Sequence, residues 1–363
     1  MKRALFALAV GLLTFSAVAE GADRIRLGPS SATPGKPVPG TITEMSATSV
    51  TTEQGSDKKT IPVNEIDAIS YDGEPTDLTS ARNQFIAGKY DEAQERLNKI
   101  DVGALKRPEM QQDVEFYKGM CAARLALYGS RAEKDLLAAA RQLLGFITNN
   151  ASNYHYFDAC ETIGDLLAAM NNPKSEVYYN KLAAAPWPEY RMRASVLIGR
   201  ALTAQKKYPD AIAKFEEVIS TPGKEGERQR LAALLGKATA LAGQAKVEAA
   251  IKLLNDVIEK ADPENKELHA RAYNARGNCY VAASKLPPEK VGGRTAMENK
   301  QHALTDFLHV DLLYNSFPDQ HAEALANLSV LWKDVNKGRR AEDAHAELLR
   351  SYPDSPWARQ PLK

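Results

Sequence analysis

Three side chains that could bind a metal are spaced along one short stretch of the chain. His302, Asp306 and His309 stand at i, i+4 and i+7, a spacing that puts all three on one face of an α-helix. Imidazole and carboxylate groups are zinc ligands, so this face is a candidate metal site. Phe307 and Val310 flank the three residues as a packing stripe, which favours the alternative, a solvated helix surface without metal.

No catalytic motif is present in the sequence. It contains no GxSxG, P-loop, HExxH or paired CxxC, and the remaining histidines have no evident triad partner. We therefore expect a protein that is not an enzyme and that needs no cofactor.

Aromatic residues are concentrated between residues 154 and 187. This cluster could fill the core between helices, or it could line a pocket for an aromatic or sugar-like ligand. Its members are Tyr154, Tyr156, Tyr178, Tyr179 and Trp187.

From residue 76 onward, apolar residues recur at i, i+3, i+4 and i+7, which predicts amphipathic helices, and a glycine recurs at equivalent places. Glycine inside a helix costs roughly 1 kcal/mol relative to alanine, so these positions need a compensating cause, such as close approach of a second helix. We expect a small residue of one helix to face a small residue of the next, as with Gly199 and Ala211, while Phe215 fills space toward the following repeat. The glycines are Gly119, Gly164, Gly199, Gly236 and Gly277.

The clearest repeat runs from Ile198-Gly199 through Tyr208, Ala211 and Phe215 to Pro222, and it resembles the tetratricopeptide repeat. Degenerate copies extend the resemblance over about seven units in a domain of residues 76–363. The segment from Tyr352 to Ala358, YPDSPWA, is similar to the repeat ends of exported bacterial relatives, which work in envelope assembly or cell division. The resemblance implies an all-α, right-handed solenoid of about seven helix pairs.

In this family the first helix of each repeat lines a concave groove, and the resemblance implies which side chains face it. In the third repeat these are Asp158, Glu161 and Asp165. The next three repeats present a basic stripe that suits a carboxylate-bearing partner, because arginine can hold a carboxylate by two hydrogen bonds. The alternative is a solvated charged face in a chain that is 26% charged. The predicted ligand-binding residues are Arg193, Arg200, Arg230, Lys237, Arg271, Asn274 and Asn278.

The N-terminal residues have the layout of a secretory signal peptide. Lys2 and Arg3 precede a mostly apolar run, and Ala17-Val18-Ala19 supplies the small residues of a cleavage site. We expect cleavage after Ala19 and a periplasmic or secreted protein. No later segment is long and apolar enough to span a bilayer.

Residues 23–75 predict a small β-rich module with an SH3-like or Sm-like fold. This region is rich in proline, threonine and serine, and it contains short alternating stretches at 41–45, 49–51, 60–63 and 66–71. Residues 55–57 are expected to form a hairpin turn between two of the strands.

Charge and cysteine usage restrict the partners further. Removal of residues 1–19 leaves 45 basic and 46 acidic side chains, a balance that offers no overall attraction to nucleic acid. Cys121, Cys160 and Cys279 lie in helical patterns without CxxC spacing, which predicts buried free thiols rather than a disulfide framework or metal site.

The sequence therefore predicts an exported, non-enzymatic scaffold that binds a protein or an acidic peptide segment in its groove, within a cell-envelope assembly. Self-association of the acidic repeat with the basic ones is also open. The alternative is a carbohydrate-binding, cell-wall-binding or enzyme-associated envelope protein that would use the tyrosine cluster or the β-rich module.

Overall fold

A computed structural model describes residues 21–130, 132–223, 226–353 and 355–359. The predicted signal peptide and its cleavage site lie outside these residues. The described residues up to Glu44, together with Val50–Glu74, form one unit, and Met45–Ser49 with the residues from Pro75 onward form a second.

The first unit contains a five-stranded antiparallel sheet with the strand order β4-β3-β2-β1-β5. The predicted turn lies between β3 and β4, where Gly55 has a φ of +63°. The sequence missed β1, although Ile25 and Leu27 are buried in it while Arg24 and Arg26 are exposed. The strands are β1 Asp23–Leu27, β2 Pro37–Met45, β3 Ser49–Gln54, β4 Asp57–Pro62 and β5 Ile66–Ser70.

The second unit is a helical solenoid in which the described residues form seven consecutive helix pairs. Each helix packs against the next one along the chain, and the first helices of neighbouring repeats also contact each other. The pairs are α1 Thr76–Ile86 with α2 Tyr90–Asn98, α3 Pro108–Leu125 with α4 Glu133–Asn149, α5 Tyr156–Ala169 with α6 Ser175–Ala183, α7 Pro188–Ala204 with α8 Tyr208–Ile219, α9 Glu227–Gly243 with α10 Val247–Lys260, α11 Lys266–Ala283 with α12 Ala296–Leu313, and α13 Pro318–Asp334 with α14 Gly338–Ser351.

The recurring glycines mark close contacts, but with large side chains rather than small ones. A Cβ atom placed on Gly199 would lie 2.7 Å from the Phe215 ring, and one on Gly236 would lie 2.4 Å from the same ring. The atoms nearest to Gly199 therefore belong to Phe215 and not to Ala211, the small residue that the sequence predicted there. Phe215 is fully buried and packs against both its own repeat and the next, because each glycine leaves space for the ring. Gly119, Gly164 and Gly277 lie similarly close to Leu143, Tyr179 and Phe307.

The turn within a repeat has the same construction five times. In each turn the residue that leaves the first helix has a left-handed φ, and the following N–H donates to a carbonyl five residues earlier, which satisfies the end of the helix. In the fifth repeat Ala245 has a φ of +61°, and the Lys246 N–H donates to the Leu241 carbonyl at 2.9 Å. The left-handed residues are Gly88, Asn171, Lys206, Ala245 and Asn336.

None of the described helices combines the length and the apolar character that crossing a membrane requires.

Candidate binding groove

A cavity of about 530 Å³ lies against the first helices of repeats four to seven. This volume is within the range of sites that bind small molecules or short segments of chain. Part of its wall is apolar, including Phe215 and Leu235, and the rest carries amide, hydroxyl and charged groups. The polar lining consists of Arg200 and Thr203 from α7, Thr239 from α9, Arg271, Asn274 and Asn278 from α11, and Gln320 and Glu323 from α13.

Four of the seven predicted groove residues line this cavity. They come from two helices that are distant in sequence, and the packing of the solenoid brings them together. The four are Arg200, Arg271, Asn274 and Asn278.

The other three predicted residues do not line the cavity, and each bonds to a neighbouring group. The Arg193 Nη2 atom lies 2.6 Å from Glu161 Oε1, and Lys237 Nζ lies 2.9 Å from Glu216 Oε1 on α8. Arg230 donates to the Thr221 carbonyl at 3.3 Å. Two of these three predicted groove cations are therefore paired with a carboxylate, and the third is bonded to a backbone carbonyl.

Arg200 differs from these cations. Among the described residues, it has no ion pair and no hydrogen-bonding partner, and it lines the cavity. Burial lowers the pKa of this group, and the carboxylate of Asp165 works against that effect. Because Arg200 is half-buried and forms no ion pair with a described residue, it is the strongest candidate for contact with an anionic ligand group.

The opposite wall carries an acid that the sequence analysis missed. Glu323 Oε1 accepts a hydrogen bond from Asn278 Nδ2 at 2.8 Å, and Glu323 Oε2 accepts one from Asn274 Nδ2 at 3.4 Å. No cation among the described residues forms an ion pair with this carboxylate, and burial raises its pKa. The sequence contained a signal for this acid. When Ser329 of the seventh repeat is aligned with Gly199 of the fourth, Glu323 falls at the position that Arg193 holds in the fourth repeat.

Asn274 leaves one acceptor without a donor beside this acid. Its side chain is only 1% exposed, and its Nδ2 also donates to the Gln320 carbonyl at 2.9 Å. Its Oδ1 atom has no hydrogen-bond partner among the described residues. A buried amide oxygen in this condition costs about 1–3 kcal/mol.

Comparison with solved structures identifies the fold around this cavity. No protein-family model and no curated protein sequence matches the chain. A tetratricopeptide repeat protein from Parabacteroides merdae aligns over 76% of this chain and 92% of its own, with 16% identity and a TM-score of 0.50. A Rap protein complexed with competence and sporulation factor aligns over 78% of this chain and 76% of its own, with 14% identity and a TM-score of 0.52. The helical unit has the tetratricopeptide-repeat fold.

The third tetratricopeptide repeat contains an acidic cluster outside the cavity lining. Tyr179 donates its hydroxyl to Asp165 Oδ1 at 2.9 Å, and Arg193 holds Glu161. Burial raises the pKa of the Glu161 carboxyl to about 7, although the Arg193 guanidinium lowers it. Burial also raises the pKa of Asp165, although the hydrogen bond from Tyr179 works against this effect.

The candidate metal-binding histidines of the sixth tetratricopeptide repeat are held separately. Asp306 is not on a solvated surface, as the sequence suggested, but is 2% exposed, and its two carboxylate oxygens accept from Arg276 at 2.6 and 2.9 Å. The rings of His302 and His309 stack on Tyr280 and Tyr273. No group of three or more potential metal ligands occurs in the part of the chain that the structure describes.

The aromatic cluster of the third and fourth tetratricopeptide repeats belongs mainly to the core. Tyr154 and Tyr179 are buried, and Trp187 packs edge-on against Phe157 and Tyr190. None of these rings lines the cavity. The cluster therefore mainly fills the core between helices, which is the first of the two interpretations of the sequence.

A buried charge network that the sequence did not reveal joins the first three tetratricopeptide repeats. Asp113 on α3 is fully buried, and it lies 3.1 Å from Arg82 Nη2 on α1 and 3.6 Å from His155 Nε2 next to α5. Burial lowers the pKa of His155, but the nearby carboxylates of Asp113 and Asp158 outweigh this effect and raise it. These charges connect successive first helices inside the protein.

The three cysteines lie in first helices of the tetratricopeptide repeats and are buried and free. Burial raises the pKa of Cys121 and Cys279 to about 12, and that of Cys160 to about 11. Nucleophilic chemistry needs the thiolate, so these thiols are held in their unreactive form.

Proposed function

We propose that the helical unit is a non-enzymatic protein-interaction scaffold that holds a segment of a partner protein in the groove of repeats four to seven. The observation that carries this proposal is Arg200, which lines a cavity of about 530 Å³ and has no ion-pair partner among the described residues. A partner carboxylate could accept two parallel hydrogen bonds from the guanidinium. A Rap protein with a similar fold has been solved in complex with competence and sporulation factor, which supports a binding role for this fold.

The test uses the chain without residues 1–19. Peptides selected on this protein from a random display library are resynthesised with acetylated and amidated ends, and their affinities are measured by fluorescence polarisation. Arg200→Gln should weaken binding at least tenfold, because it removes the only cavity cation that has no partner among the described residues. Arg191→Gln is the matched control, since Arg191 lies exposed on the same helix.

Binding through Arg200 should also weaken as salt is raised, since the Debye length falls from about 10 Å at 0.1 M to about 3 Å at 1 M. Equal affinities for Arg200→Gln and Arg191→Gln would show that the cavity is not the binding site.

We further propose that the protein is exported and that its partner belongs to the cell envelope. The support is the basic start, the apolar run and the Ala17-Val18-Ala19 cleavage site. The intact mass of protein recovered from an envelope or culture fraction should lack residues 1–19. Recovery of the uncleaved chain from cytosol alone would contradict export.

A further inference from the structure

We propose that the cavity recognises a bipolar ligand segment, with a carboxylate at Arg200 and an ammonium or other N–H donor at Glu323. This inference rests on the proposed function and specifies its ligand. It differs from a uniformly acidic segment, which the basic stripe in the sequence predicts.

The charges of the cavity lining support two poles. Its charged side chains are Arg200, Arg271 and Glu323. Arg271 has a partner on its own helix, because its Nη1 atom lies 3.7 Å from Glu267 Oε1. The charges without an ion-pair partner among the described residues are therefore one cation on α7 and one anion on α13.

The hydrogen-bonding groups at the Glu323 pole point to a donor. Asn274 Nδ2 donates to Glu323 and to the Gln320 carbonyl, and Asn278 Nδ2 donates to Glu323. The acceptors that this wall offers to a ligand are the remaining lone pairs of the Glu323 carboxylate. A ligand ammonium group can donate hydrogen bonds there, whereas a ligand carboxylate would meet a like charge.

Burial reinforces this selectivity. The pKa of Glu323 is raised by desolvation, and no cation offsets that effect. A ligand ammonium beside it would stabilise the ionised carboxylate, while a second ligand acid would be repelled in a site of low dielectric constant.

The two models make opposite predictions for peptides of different charge. On a uniformly basic groove, a peptide with two acids binds more tightly than a peptide with one acid and one lysine. On a bipolar cavity the order is reversed, although the second peptide carries the smaller net charge.

The experiment compares three blocked peptides that share one glutamate and one backbone and differ at a second position, which holds lysine, glutamine or glutamate. Each set is made with two to five residues between the two positions, and affinities for the chain without residues 1–19 are measured by fluorescence polarisation. At the best spacing, the Glu/Lys peptide should bind at least tenfold more tightly than the Glu/Glu peptide. Glu323→Gln should abolish this preference while leaving the Glu/Gln peptide nearly unchanged.

The control is Glu342→Gln, which removes the same charge from an exposed position on α14 and should keep the preference. Circular dichroism checks that each variant retains its helices.

The outcomes separate the two proposals. If Arg200→Gln weakens every peptide but the Glu/Glu peptide binds at least as tightly as the Glu/Lys peptide, the bipolar inference is wrong and the scaffold site stands. A Glu/Lys preference that survives Glu323→Gln also overturns the inference. If no peptide binds, or if binding ignores Arg200→Gln, the proposed function itself fails.

Discussion

Replacement of Gly236 by alanine tests the packing on which the solenoid depends. Gly236 lies within α9, and its Cβ atom in the variant would be 2.4 Å from Cε1 and Cζ of Phe215. Carbon atoms in contact are normally about 3.5–4.0 Å apart, so the overlap is about 1 Å. The ring is fully buried, and the same ring atoms lie against Gly199 on α7, so the ring cannot move away from Gly236 in the direction of that helix.

The magnitude follows from two opposing effects. Overpacking a core typically costs about 1–3 kcal/mol. Alanine is favoured over glycine inside a helix by about 1 kcal/mol, which offsets part of that cost. Gly145→Ala isolates the second effect, because Gly145 lies within α4 and has no neighbouring atom within 4 Å of the new Cβ. The free energies of unfolding of the two variants should therefore differ by about 1–3 kcal/mol, with Gly145→Ala the more stable.

Urea unfolding followed by circular dichroism measures this difference. The slopes of the unfolding curves must be compared as well as the midpoints, because repeat proteins can unfold in parts. In a Phe215→Leu background the cost of Gly236→Ala should shrink, since the ring atoms that clash are removed. Equal midpoints for Gly236→Ala and Gly145→Ala would refute the inference that Phe215 needs the glycine.

Three further variants test other parts of the helical unit. Arg276→Met should lower the free energy of unfolding by about 3 kcal/mol, because it leaves the buried Asp306 without its partner. A loss below about 1 kcal/mol in urea unfolding would contradict this role of Arg276. Ala245→Gly should raise the free energy of unfolding by about 0.5–1 kcal/mol, because a left-handed φ strains alanine but not glycine. A lower urea midpoint than that of the parent protein would contradict the turn geometry. The raised pKa of Glu161 means that the folded state binds more protons than the unfolded state, so stability is lost as pH rises from 4.5 to about 7. The free energy of unfolding of Glu161→Gln should therefore change less in this window than that of the parent, by about 1–3 kcal/mol. Identical pH profiles for the variant and the parent would show that Glu161 is not responsible.

The helical half of the fold could be predicted because its determinants are local. Helix pairs are made by neighbours in sequence, and apolar spacing together with recurring glycines is enough to predict them. The strand β1 was missed because it is five residues long and contains two arginines, and its partners include Ile69, more than forty residues away. Which residue faces a glycine was also beyond the sequence, since Ala211 and Phe215 lie on one helix and only the packing of helices selects Phe215.

The sequence by itself determined the helical repeats, and their resemblance to the tetratricopeptide repeat implied a set of groove residues, four of which line the cavity. The tertiary structure decided which of their charges are available to a ligand. Arg193 is neutralised by a residue 32 positions earlier, and Lys237 by one on the preceding helix, while Arg200 and Glu323 have no ion-pair partner among the described residues. The physical reason is that a charge is compensated by what lies within about 4 Å of it. In a solenoid, those neighbours come from adjacent repeats, and their side-chain positions follow from packing rather than from spacing along the chain.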